Sequence, residues 1–137
     1  MLKAHVSVSL DGYMAGADVS VECAMGRRGD ELHNWLLASP QDPVDAEVAS
    51  SMNSHQAVGA ILMGRRTLDV GIGHWGDDGA FGMPCFVVSH RDHDPIIRGD
   101  TTFTFVTNGL HRAVEQASSA AGAKQVNVMG EIGRAHV

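Results

Sequence analysis

Basic residues are in short supply. Ten Lys and Arg stand against sixteen Asp and Glu, a net charge of −6. That balance argues against a non-specific nucleic-acid binder, because phosphate neutralisation needs a positive surface. Long apolar runs are also missing, so no segment can serve as a membrane-spanning helix. The opening MLKAHVSVSLDGY has neither the continuous apolar stretch nor the small-residue cleavage site of a signal peptide, which points to a cytoplasmic location. Only two cysteines occur, Cys23 and Cys85, far apart and outside any C-x-x-C, so both are expected as reduced thiols. Charged residues reach only 19% against 44% hydrophobic, which fits an ordinary globular protein and argues against disorder.

What is present fits one domain. A chain of 137 residues can bury a real core. Five of its sixteen glycines cluster in residues 71–82 and suggest a long functional loop. No internal repeat or linker is evident.

Residues 2–9 alternate and predict a strand, ended by Asp11-Gly12. Residues 13–29 read as loop. Asp30 is placed to cap a helix running to Ser39, with Leu32, Trp35 and Leu36 inward and Pro40 after its end. Asp42-Pro43 signals a second helix, carrying Val44, Val48 and Met52. Residues 58–63 and 85–89 read as buried strands, with a short helix from Gly64 to about Gly71 after the first. Residues 90–100 read as polar loop, and 102–106 as a strand. Thr107 or Asn108 is placed to cap a helix with Leu110, Ala113, Val114, Ala117 and Ala121 at helical spacing, stopped by Gly122. Residues 125–129 read as the last strand. Strands alternating with helices predict a three-layer α/β/α fold with a mostly parallel central sheet. Ligands gather at the carboxyl ends of such strands, so the loops after Ser9, Met63, Ser89 and Met129 matter most.

Gly64-Arg65-Arg66-Thr67 is the most informative of these loops. A glycine between strand and helix lets backbone N–H groups approach a phosphate, Thr67 can donate, and two guanidiniums can pair with phosphate oxygens. The same four residues also make an ordinary turn with two solvated arginines, and spacing alone does not choose. Ser89 and Arg91 are candidates for a second phosphate, such as the 2′-phosphate of NADP, with His90 stacking on adenine. A plain polar loop opening is the competing explanation.

Gly71-x-Gly73-x-x-Gly76 matches the dinucleotide fingerprint in form only. It follows a helix, and no helix comes next. His90, Asp92, His93 and Asp94 crowd one loop, yet a metal shell needs a distant ligand as well, so no metal is expected. Pro84-Cys85 lacks the other elements of a zinc deaminase. Asp11 and Asp30 are the candidate catalytic carboxylates, against simple roles in a turn and a helix cap. Trp75 is either a loop anchor or part of a pocket wall.

Four segments in order carry a resemblance: Ser9-Leu10-Asp11-Gly12-Tyr13-Met14-Ala15-Gly16, Ile61-Leu62-Met63-Gly64-Arg65-Arg66-Thr67, Phe86-Val87-Val88-Ser89-His90-Arg91 and Val126-Asn127-Val128-Met129-Gly130. Over residues 2–130 the chain resembles the dihydrofolate-reductase-like fold, and within it the bacterial relatives of the reductase domain of the riboflavin-pathway deaminase/reductase. The resemblance implies an NADPH-dependent reductase acting on a small-molecule substrate, a heterocycle or ribosylamino compound such as 5-amino-6-(5-phosphoribosylamino)uracil. It places Gly64, Arg65, Arg66, Thr67, Met129 and Gly130 at the cofactor's phosphates. Ser89, His90 and Arg91 go to its 2′-phosphate end, and the 11–16 loop goes over the nicotinamide. A family-type homodimer is a further implication. Rival expectations are a nucleotide-binding module without catalysis, or an inactive fragment.

The family carries two glycines where this chain has Gly130-Glu131, and continues with a helix and further strands. Residues 131–137 can be encoded by GAG ATC GGA AGA GCA CAC GTC, which contains the start of a common sequencing adapter. They are therefore read as a non-native tail. Residues 1–130 are read as a partial reductase domain lacking its C-terminal helix and strands. An uncovered sheet edge would then favour association.

Overall fold

The computed structural model describes residues 1–34, 46, 47, 50 and 57–130. Six strands form one sheet in the order β1-β6-β2-β3-β5-β4. They are β1 (Leu2–Ala4), β2 (Val58–Gly64), β3 (Pro84–Val88), β4 (Ile96–Arg98), β5 (Thr101–Val106) and β6 (Gln125–Met129). All pairings are parallel except the β4–β5 hairpin. Two α-helices whose bounds fall among the described residues accompany them, α1 (Arg65–Gly71) and α2 (Leu110–Ala121). This is the expected α/β class with a mostly parallel sheet.

The central strands are apolar on both faces because both faces are covered. Alternate residues of β2 divide between two cores. Ala60 and Leu62 join Phe86, Val106 and Val126 beneath Ala113, Ala117 and Ala121 of α2. Ile61 and Met63 join Cys85, Val87 and Phe103 beneath Leu68 of α1. Three alanines one turn apart let α2 lie close on the sheet. The chain moves one way along the sheet from β2 to β3 and returns from β5 to β6. A single crossover hand on opposite journeys puts the two helices on opposite faces.

Several boundaries differ from expectation. The first strand covers Leu2–Ala4 only, since β6 offers it partners only at Val126, Asn127 and Val128. The polar stretch after His90 contains the short strand β4, folded back on β5 around Gly99-Asp100, with Gly99 at φ 54°. The cap of α2 is Gly109 at φ 103°, with no side-chain bond, rather than Thr107 or Asn108, and Leu110 stays exposed. Asp30 caps nothing. A 3-10 helix spans Gly29–His33, and left-handed Arg28 holds the cap position. Arg28 also pairs with Glu31 at 2.7 Å, which stabilises this tighter turn. Ala46, Glu47 and Ser50 are helical. Trp35, Leu36, Val44, Val48, Met52 and residues 131–137 lie outside the described residues.

The Gly-rich loop is an anchored structure. Trp75 stacks on Phe103 at 5.8 Å and meets the edge of Phe81 at 4.9 Å. Its ring lies where a Cβ on Gly71 would sit. Trp75 is thus a loop anchor.

Candidate functional site

Register fixes what meets at the carboxyl edge of the sheet. Met129 of β6 lies beside Met63 of β2, and Gly64 lies beside Val88 of β3. Val88 in turn lies beside Val106 of β5. Gly130, Gly64–Thr67 and Ser89–Arg91 therefore leave the sheet at the same edge from three adjacent strands. The tip of β2 is open, for a Cβ on Gly64 would meet nothing within 4 Å. Over β6 the packing is close. A Cβ on Gly130 would fall 2.7 Å from Thr67 Oγ1, so only glycine brings that backbone against the threonine.

The side chains at this edge are differently engaged. Arg65 Nε donates to Asp69 Oδ1 at 2.7 Å, and its guanidinium carbon lies 5.1 Å from the Phe105 ring centroid. Arg66 is exposed, with Nη2 3.5 Å from the Val19 carbonyl, the outer limit of a hydrogen bond. Ser89 is buried. Its hydroxyl donates to the Arg91 carbonyl at 2.7 Å and accepts the Arg91 N–H at 3.1 Å. The Ser89 proton thus shapes its own turn. His90 and Arg91 are exposed, while Met129 packs against the core beneath α1. Because α1 has only seven residues, its dipole adds little, and anion binding here would fall to guanidiniums and backbone N–H groups.

The two candidate carboxylates stand apart. Asp11 accepts the Ser9 hydroxyl at 2.5 Å inside the 9–13 turn. Asp30 is exposed in the 3-10 helix. Among the described residues, neither makes a hydrogen bond or ion pair with the edge cluster. The 13–29 loop does approach it, through Arg66 on Val19, and the same loop is tied to the Gly-rich loop by His74 Nε2, which donates to the Val21 carbonyl at 2.8 Å.

One residue that sequence reasoning left to a solvated loop lies beside Phe105. His93 follows Arg91 in the β3–β4 loop, and its ring lies 4.8 Å from that of Phe105. His93 Nδ1 lies 2.6 Å from the Asp94 carbonyl, and Asp92 accepts the His93 backbone N–H at 3.0 Å. A crowd of His and Asp was legible as a metal question. That it shares an aromatic partner with Arg65 depends on register across three strands. No group of three or more His, Cys, Asp or Glu is placed to hold a metal among the described residues.

A depression of about 250 Å³, lined by Asp78, Ala80, Phe81, Gly82 and Asp100, opens elsewhere. Those residues precede β3 and β5, so it lies at the amino edge, away from the cluster. Comparison with models of known families finds no match, and a search of curated proteins finds none either.

Proposed function

We propose that the chain is an NADPH-dependent reductase of dihydrofolate-reductase-like fold, related to the riboflavin-pathway reductase domain. The observation that supports this most is the gathering of Gly64–Thr67, Ser89–Arg91 and Gly130 on three neighbouring parallel strand tips. The residues fit a dinucleotide phosphate in two respects. Gly64 leaves room for close backbone approach, and Gly130 presents backbone beside the Thr67 hydroxyl. They fit less well in one, since the Ser89 proton is already used.

In this reading Gly64, Arg66, Thr67 and Gly130 would hold the pyrophosphate, Met129 would back it, and His90 and Arg91 would take the 2′-phosphate end. Arg65 would stand beside them on Phe105. When bound, NADPH supplies the hydride for reduction of a heterocyclic or ribosylamino substrate. The chain's own contribution is alignment of the two reactants and exclusion of water. Asp11 and Asp30 remain the candidate catalytic carboxylates, to orient the substrate or hold a protonated heterocycle.

Calorimetric titration with NADPH and NADH tests the reading. NADPH should bind roughly tenfold or more tightly, the worth of one good charge-assisted contact. Arg91→Ala should erase the preference. Equal affinities in the wild type would overturn the assignment. A second reading, nucleotide binding without catalysis, draws support from Asp11 and Asp30, neither of which is bonded to the edge cluster among the described residues. Tight NADPH binding with no oxidation across a panel of heterocyclic substrates would favour it.

A further inference from the structure

Strand β1 ends at Ala4, and the chain runs on from His5 to the turn at residues 9–13. Among the described residues, Val6, Ser7 and Val8 make no backbone hydrogen bond. Val6, Val8 and Leu10 are exposed, whereas Ser7 and Ser9 are half-buried. The apolar side of this alternating stretch faces water, the reverse of what a solvated connection needs. Register places Leu2 beside Val126 and Ala4 beside Val128, both packed in the core under α2. Continued alternation puts Val6 and Val8 on that same face. Val126 N–H donates to the Met1 carbonyl at 3.0 Å, so odd-numbered residues turn their backbone groups toward β6. Even-numbered residues turn theirs to the outer edge, which has no neighbour among the described residues. Sheet edges are ordinarily blunted by charged residues or proline, and residues 4–10 contain neither Lys, Arg, Asp, Glu nor Pro.

A second copy of the same stretch matches this edge. Two-fold symmetry runs two identical strands antiparallel, with opposite residues pointing to one face. The free stretch 5–9 is centred on Ser7. Pairing about Ser7 sets Val6 against Val8 and Ala4 against Leu10 on the apolar face, and His5 against Ser9 on the other. The outward backbone groups of Val6 and Val8 then exchange the hydrogen bonds that each copy leaves unmade. The same register carries Lys3 of each copy to the Asp11 turn of the other, opposite charges at both ends of the pair. Neither Lys3 nor Asp11 makes an ion pair among the described residues. Asp11 uses Oδ1 to accept the Ser9 hydroxyl and keeps Oδ2 for a partner. Sliding one copy by a single residue would set valines against serines. Sliding it by two keeps the faces but parts Lys3 from Asp11.

We propose that two copies of this chain join through residues 5–9, antiparallel about Ser7, and merge their six-stranded sheets into one. The pairing owes nothing to nucleotide binding. A paired stretch this short makes a small interface, so the dimer is weak and forms in the micromolar range or above.

Sedimentation velocity and a disulfide trap test it, the trap in a Cys23→Ser background that removes the exposed thiol. The wild type should show a monomer–dimer equilibrium that stops at the dimer, followed up to roughly 0.5 mM. Lys3→Asp and Asp11→Lys each set like charges together and should raise the dissociation constant several-fold, up to roughly tenfold. Combining the two should restore it. Ser7 faces its own counterpart in a non-hydrogen-bonded pair, where Cα atoms approach most closely. Ser7→Cys should therefore form an intermolecular disulfide under mild oxidation, and Ser9→Cys, opposite His5, should not. Circular dichroism melts verify that each variant folds, and the charge exchange decides the matter if a cysteine variant does not. A monomer across the whole range would overturn the proposal, the result if another part of the chain or a different protein claims this edge. Species larger than a dimer would overturn it too. So would a dimer that ignores the charge exchange, or a folded Ser7→Cys dimer that stays unlinked, because the interface then lies elsewhere.

Discussion

Two buried residues hold interactions that a conservative substitution can isolate. Thr101 is fully buried at the start of β5, and its hydroxyl accepts the N–H groups of Gly82 at 2.8 Å and Phe81 at 3.3 Å. Thr101→Val keeps the shape and strands both donors. Urea denaturation should show a loss of roughly 1–3 kcal/mol, with Thr101→Ser much milder. Cys85 is enclosed by the core beneath α1, and burial pushes its thiol up from 9.0 to about 12. The folded state therefore keeps the proton that the unfolded chain releases. Stability should be unaffected below about pH 9 and fall as pH rises from there toward 12. Cys85→Ala should flatten that alkaline fall in denaturation curves. Exposed Cys23 should react with a thiol reagent in the native state, while Cys85 should react only on unfolding.

Among the elements, the α1–β3 connection is the most tightly specified. Gly71 closes α1 with the Trp75 ring against its Cα, so a Cβ there must displace an aromatic that also stacks on Phe103. Gly71→Ala should cost roughly 1–3 kcal/mol by overpacking and shift the tryptophan fluorescence as Trp75 moves outward. Chemical melts with emission spectra measure both. The strands at 58–64 and 84–88 were legible because unbroken apolar runs have few other uses, and those at 101–106 and 125–129 because apolar and polar residues alternate. Strand β4 was hidden, for Asp94-Pro95 and Gly99-Asp100 surround three residues with turn chemistry. β1 was overread, since alternation in HVSVS marks a strand only where a partner exists. The helix cap at Asp30 failed because the 3-10 helix already begins at Gly29, which puts Asp30 inside its first turn. At the site, Gly64–Thr67 and Ser89–Arg91 could be placed on neighbouring tips from strand order alone. The Arg65–Asp69 pair, the self-bonded Ser89 turn and the Phe105 contact are tertiary facts that no local pattern carries.

At the level of the whole molecule, the sheet has unequal margins. One is the β4 hairpin strand. The other is β1, three exposed residues paired only to β6 among the described residues, followed by exposed Val6, Val8, Leu10 and Tyr13. An unpaired edge beside apolar side chains invites pairing with another chain. Sedimentation velocity should show concentration-dependent self-association, and a single monomer boundary across the concentration range would contradict it.

The position of β6 has a temporal consequence. It is inserted between the first strand and the second, although of the six described strands it leaves the ribosome last. The block made of β2, β3, β5 and β4 can assemble while synthesis proceeds, but Leu2–Ala4 must wait without a neighbour until residues near 126 emerge. Strand β1 is thus the last of the six to be paired although it is made first, and it stays an unclaimed edge while the other five are synthesised.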